Sequence, residues 1–130
     1  MNKKSGITLQ AAQQLINQRF FTQSVHCSYY AVLQLIKHKL AVTSDHPITY
    51  KDQDKLTKNR DSHEFLLIEI KNRISRPKDK KEFGELFRDL KAKRVDADYS
   101  IRQFTDIESL NCKECAEKLI SKLNYYFNAV

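Results

Sequence analysis

Only two glycines and two prolines punctuate this chain of 130 residues. A β-sandwich or barrel turns every ~8–12 residues and draws on those residue types to do so. So few turn-formers direct the chain toward long helices. The same scarcity sets aside collagen-like and low-complexity classes. Hydrophobic residues make up 41%, with seven Phe and six Tyr, which excludes disorder. One domain is expected, since domains cluster near ~100–150 residues.

Apolar periodicity predicts five helices, over about 8–18, 22–40, 61–75, 80–100 and 108–128. In the first, Leu9, Ala12, Leu15 and Ile16 recur at helical spacing, with Thr8 as the expected cap. The second carries one long face through Val25, Tyr29, Val32, Leu33, Ile36 and Leu40. Residues 41–59 are polar, contain Pro47 and show no period, so they read as a long loop. Asp61 or Ser62 caps the third helix, whose face is His63, Leu66, Leu67, Ile70 and Ile74. Arg76-Pro77 ends it, because the residue before proline avoids helix and proline lacks a donor. Thr105 and Glu108 stand at capping-box spacing before the last helix. The fold class that follows is all-α: a single-domain, up-and-down bundle of four to five helices spanning 1–130.

The net charge of +7 is unevenly held. Residues 1–40 carry five basic side chains and no acid, and residues 71–94 carry ten basic against four acidic. Such fields steer polyanions, so nucleic acid, nucleotide or an acidic partner enters consideration beside plain surface solvation. Lys3 and Lys4 begin like a secretory leader, but glutamines and asparagines follow instead of an apolar stretch. No apolar run is long enough to span a bilayer. Three cysteines, an odd number, fit a reducing compartment, and a cytoplasmic protein without membrane association is expected. Cys112 and Cys115 form a CxxC, yet neither a second such pair nor a His pair completes a zinc site, and a redox βαβ context is missing. They read as helix-packing residues. Neither metal nor cofactor is expected.

The fourth helix breaks its own pattern. Its stripe runs Phe83, Leu86, Phe87 and Leu90, then places Arg94 and Asp98, with Ala97 between them, where aliphatic residues belong, before Ile101. Buried charge is costly unless paired, and this i,i+4 spacing allows pairing. One reading is an ion pair that fastens helices. The other is a polar pocket inside the bundle. His63 heads the apolar face of its helix and points toward the same interior. A histidine there is commonly a hydrogen-bonded core residue. Tyr29 and Tyr30 pack mid-helix with hydroxyls free to reach polar partners, and Tyr99 adjoins Asp98.

Three segments, in order, resemble the HEPN family, the higher-eukaryote and prokaryote nucleotide-binding domain. They are Ser28-Tyr29-Tyr30-Ala31, Asp61-Ser62-His63, and Lys93-Arg94-Val95-Asp96-Ala97-Asp98-Tyr99. The resemblance covers nearly the whole chain. It implies a four- or five-helix bundle, a homodimer, and a nucleotidyltransferase-like partner protein. Many members are metal-independent ribonucleases whose late helix carries an Arg and then, after four to six residues, a His. Arg94 matches the Arg, but no His follows it. Asp98 and Tyr99 stand in that region, and a carboxylate paired to Arg94 makes a weak base. The resemblance therefore implies the non-catalytic branch: a binding protein for nucleotide, RNA or a protein partner. Arg94 would hold an anion or the pocket, and Asp98 would orient it. Tyr99, Tyr29, Tyr30 and His63 would line the site. The alternatives are a ribonuclease in which His63 supplies the imidazole, with Arg94 and Tyr99 beside it, and a structural dimer whose ion pair only fastens helices.

Overall fold

The structure, a computed structural model, describes residues 3–43 and 45–128. These form six helices and no strand: α1 (Lys3–Asn17), α2 (Phe21–Val42), α3 (Tyr50–Leu56), α4 (Ser62–Asn72), α5 (Pro77–Tyr99) and α6 (Asp106–Tyr126). The helical bundle is as the sequence predicts, with one short helix added.

Helix α2 is the axis of the bundle, packing against all five other helices. The apolar stripe predicted for it is buried, but so is a second face of Ser24, Ser28, Ala31 and Leu35. Small residues on that face let neighbours approach closely. Ser5 of α1 is fully buried there and donates to the Ala31 carbonyl at 2.6 Å. The core then fills with Phe83, Phe87 and Leu90 from α5, Leu66, Leu67 and Ile70 from α4, and Leu119 and Leu123 from α6.

Helix ends depart from expectation for local reasons. α1 begins at Lys3, and the Thr8 hydroxyl donates to the Lys4 carbonyl within the helix instead of capping it. α1 ends in a Schellman motif. Phe20 N–H bonds the Leu15 carbonyl at 2.7 Å and Arg19 N–H that of Ile16 at 3.0 Å. Arg19 takes the left-handed position, φ 68°, where glycine is usual. Pro77 does not terminate α4, which has already ended at Asn72. It opens α5, where its missing N–H costs nothing.

The stretch expected as a long loop is partly helical and tied down. Thr49 caps α3 by accepting from Asp52 N–H at 3.2 Å. Gln53 gives both amide hydrogens to the carbonyls of Lys37 and Ile48, each at 2.9 Å. Arg73 donates to the carbonyls of Asp45 and His46 at 2.6 and 2.7 Å. Helix α3 is absent from the periodicity because its one buried residue is the polar Gln53.

The expected caps of α4 and α6 form. The Asp61 carboxylate accepts from His63 and Glu64 N–H, and Thr105 and Glu108 complete a reciprocal capping box. Arg102 joins α5 to α6, bonding Asp96 at 2.6 Å and Glu108 at 2.8 Å over the Phe104 ring.

Candidate functional site

Arg94 is 8% exposed and sits near the middle of a polar cluster built by three helices. Its Nη1 donates to Asp98 Oδ2 at 3.3 Å, one turn along α5. Its guanidinium carbon lies 5.0 Å from the ring centroid of Tyr29 and 5.8 Å from that of Tyr30, both on α2. Its Nη2 reaches His63 Nδ1, at the start of α4, at 3.4 Å. Its Nε–H is one of four buried side-chain polar atoms without a partner among the described residues. Burial opposes the charge on Arg94. The Asp98 hydrogen bond and the two tyrosines outweigh it and hold the guanidinium above its ordinary pKa.

The proton on His63 follows from its neighbours. A guanidinium only donates, so the Nδ1 facing Arg94 carries a lone pair. The Tyr29 hydroxyl donates to the same atom at 2.9 Å. Nε2 then bears the hydrogen. Burial, followed by the positive charges of Arg94 and Lys91, holds His63 below its usual pKa and so keeps it neutral. Burial likewise raises Tyr29 far above the ordinary tyrosine range, which keeps its hydroxyl protonated.

A residue that sequence reasoning missed completes the cluster. His26 Nδ1 lies 3.1 and 3.2 Å from the two Asp98 oxygens. A carboxylate only accepts, so Nδ1 donates, which in the neutral tautomer leaves the lone pair on Nε2. The His26 ring stacks on Tyr30 with centroids 4.4 Å apart, and its side chain is 48% exposed. Tyr30 also meets His63 edge-on at 5.8 Å. Two imidazoles therefore flank one tyrosine, one presenting a lone pair and the other an N–H. The available signal was spacing: His26 stands four residues before Tyr30, on the same helix face.

Five of the six residues expected at the site come together: Arg94, Asp98, His63, Tyr29 and Tyr30. Tyr99 does not. It is 80% exposed at the last position of α5. At 3.6 residues per turn it lies about 140° around the helix from Arg94, whereas Asp98 lies about 40° away. Ile101 does not resume the apolar face either. The helix has ended, and the side chain is 100% exposed.

The two CxxC cysteines occupy packing positions. Cys112 is buried, and Cys115 Sγ approaches the Leu86 carbonyl at 3.6 Å. Burial pushes the Cys112 thiol up to about 11, away from thiolate chemistry. Among the described residues, no group of three or more His, Cys, Asp or Glu could hold a metal ion. Nor is any described helix long and apolar enough to cross a membrane. No family model, curated protein or solved structure matches the chain.

Proposed function

We propose that this is a HEPN-like binding protein for single-stranded RNA or its nucleotides. The ligand would be taken on the rim formed by His26, Tyr30 and His63. Buried Arg94 and the more exposed Asp98 frame that rim, fixing both imidazoles. One observation carries the reading. The segments behind the resemblance lie far apart in sequence, yet Tyr29, Tyr30, His63, Arg94 and Asp98 touch one another. The partly exposed edge of that cluster offers an aromatic ring for a base and an N–H for a phosphate oxygen, with the positive charges of Lys91 and Lys37 acting on His63. On the same reading the chain forms a homodimer and has a nucleotidyltransferase-like protein partner.

Binding of a fluorescent single-stranded RNA, followed by anisotropy without metal, tests the proposal. Base–aromatic stacking is worth ~1–3 kcal/mol, so Tyr30→Ala should weaken binding by about 5- to 150-fold. Affinity should also fall steeply with salt. RNA binding that is absent, or indifferent to Tyr30→Ala and His26→Ala, refutes it.

The Asp98–His26 pair favours a second reading, a metal-independent ribonuclease. A carboxylate that fixes the Nδ1 hydrogen leaves Nε2 as a proton acceptor for a ribose 2′-OH. His26 fits that role better than His63, whose lone pair is already engaged by Tyr29 and Arg94. RNA cleavage in EDTA that His26→Ala abolishes would establish this reading over binding alone.

A further inference from the structure

The segment 45–60 adds almost nothing to the apolar core. Its one buried residue is Gln53, and α3 packs against α2 alone. Apolar burial is what makes an element inseparable from a core, and the two large apolar side chains of α3, Tyr50 and Leu56, both stand about half in solvent. A cleft of about 620 Å³ lies between the two helices, walled by Tyr30 and Lys37 on α2 and by Tyr50 and Asp54 on α3. Helix α3 therefore stands off α2 over part of its face.

Hydrogen bonds hold the segment down instead. Ile48 N–H donates to the Leu40 carbonyl of α2 at 2.8 Å. Gln53 gives one amide hydrogen to the Lys37 carbonyl of α2 and the other to Ile48 within the segment. Arg73 grips the carbonyls of Asp45 and His46. Two features work against this closure. Gln53 Oε1 is buried without a partner, a cost that water removes once α3 lifts. His46 is held in the left-handed region, φ 51°, where a residue with a Cβ is strained, and the carbonyl that Arg73 grips is its own.

We infer that segment 45–60 is a lid. Helix α3 lifts from α2 and reseats while the other five helices stay folded, and Gln53 is the latch. Seated, the lid walls the cleft. Lifted, it bares the α2 surface that carries Tyr30 and Lys37. Tyr30 also belongs to the rim described above, so the lid governs a second approach to the same ring. The lid stands or falls independently of RNA binding at the rim.

Native-state hydrogen exchange of the full chain, followed by NMR, is the test. The N–H groups of Ile48, Gln53 and Thr57 bond the carbonyls of Leu40, Thr49 and Gln53, so each reports opening of the segment. They should exchange at least about a hundredfold faster than amides in the middle of α2, through one shared opening. Gln53→Ala removes both side-chain hydrogen bonds and should speed all three by about tenfold. Ile120→Val trims the core from α6, which does not pack against α3, so it weakens the lid-open and lid-closed bundle equally. It should speed α2 exchange by about 2- to 10-fold and leave the three lid amides unmoved. Lid amides as slow as those of α2, or sped by Ile120→Val, make the segment an integral part of the bundle and overturn the lid. Absent or unequal responses of the three amides to Gln53→Ala overturn it too, because helix-end fraying lacks a shared latch.

Discussion

Replacing Arg94 with methionine should change the charge state of a residue on another helix. Methionine keeps much of the arginine's length and apolar stem but removes the guanidinium. Two consequences can be worked from the structure. The first concerns stability. Breaking a fully buried pair costs ~3–5 kcal/mol. Here the Arg94 side chain is 10% exposed and that of Asp98 is 24% exposed, and Asp98 keeps His26 as a partner. The expected loss is therefore smaller, about 2–3 kcal/mol. For a chain of this size that lowers Tm by roughly 6–15 °C.

The second consequence concerns His63. Its pKa lies below 6.5 first because of burial and then because of Arg94. Removing Arg94 deletes only the second cause, so the pKa should rise but remain depressed. Because folded His63 takes up its proton at lower pH than the unfolded chain does, stability is fully present above the unfolded pKa of 6.5. It declines as pH falls below that value and levels off beneath the folded pKa. His38, held low chiefly by burial, pushes in the same direction. The Met variant should show a shallower slope. Imidazole signals followed by NMR against pH, with thermal melts at each pH, give both readouts. A His63 titration that stays put or moves downward in the variant would refute the reasoning, as would a Tm within 2 °C of the parent (about half a kcal/mol).

Other positions yield simpler expectations. Gly84→Ala on α5 should stabilise by about 0.5–1 kcal/mol, because alanine is the better helix former. The nearest atom to the new Cβ is the far end of Lys71, Nζ at 3.0 Å, which swings aside easily, and a lower denaturation midpoint would show that this ammonium is held in place. Thr105→Ala removes half of the capping box and should cost about 1 kcal/mol in urea unfolding. Tyr99→Ala should leave both Tm and RNA affinity within error, since that side chain faces solvent. A loss of RNA binding there would move the site to the end of α5.

Much of the bundle is legible in the sequence because caps and apolar stripes are local signals. Asp61 and Thr105 announce their helices by residue type and spacing alone, and Arg94 announces a polar interior by interrupting a stripe. Other features depend on contacts between distant segments. Helix α3 is held by Gln53 reaching two carbonyls, which no periodicity encodes. His26 gains meaning only when α5 brings Asp98 beside it, 72 residues away in sequence. Tyr99 illustrates the opposite error. Sequence adjacency to Asp98 reads as spatial adjacency, but one residue along a helix turns the side chain by about 100°.

The most direct test of the account uses the chain's own histidines. There are four, His26, His38, His46 and His63, and only His26 and His63 belong to the cluster. Titrating a single-stranded RNA into the protein and following the imidazole carbon–proton signals reads each ring separately. His26 and His63 should shift together and saturate at one stoichiometry, while His38 and His46 stay in place. Shifts confined to His38 or His46, or no shift at saturating RNA, would contradict it.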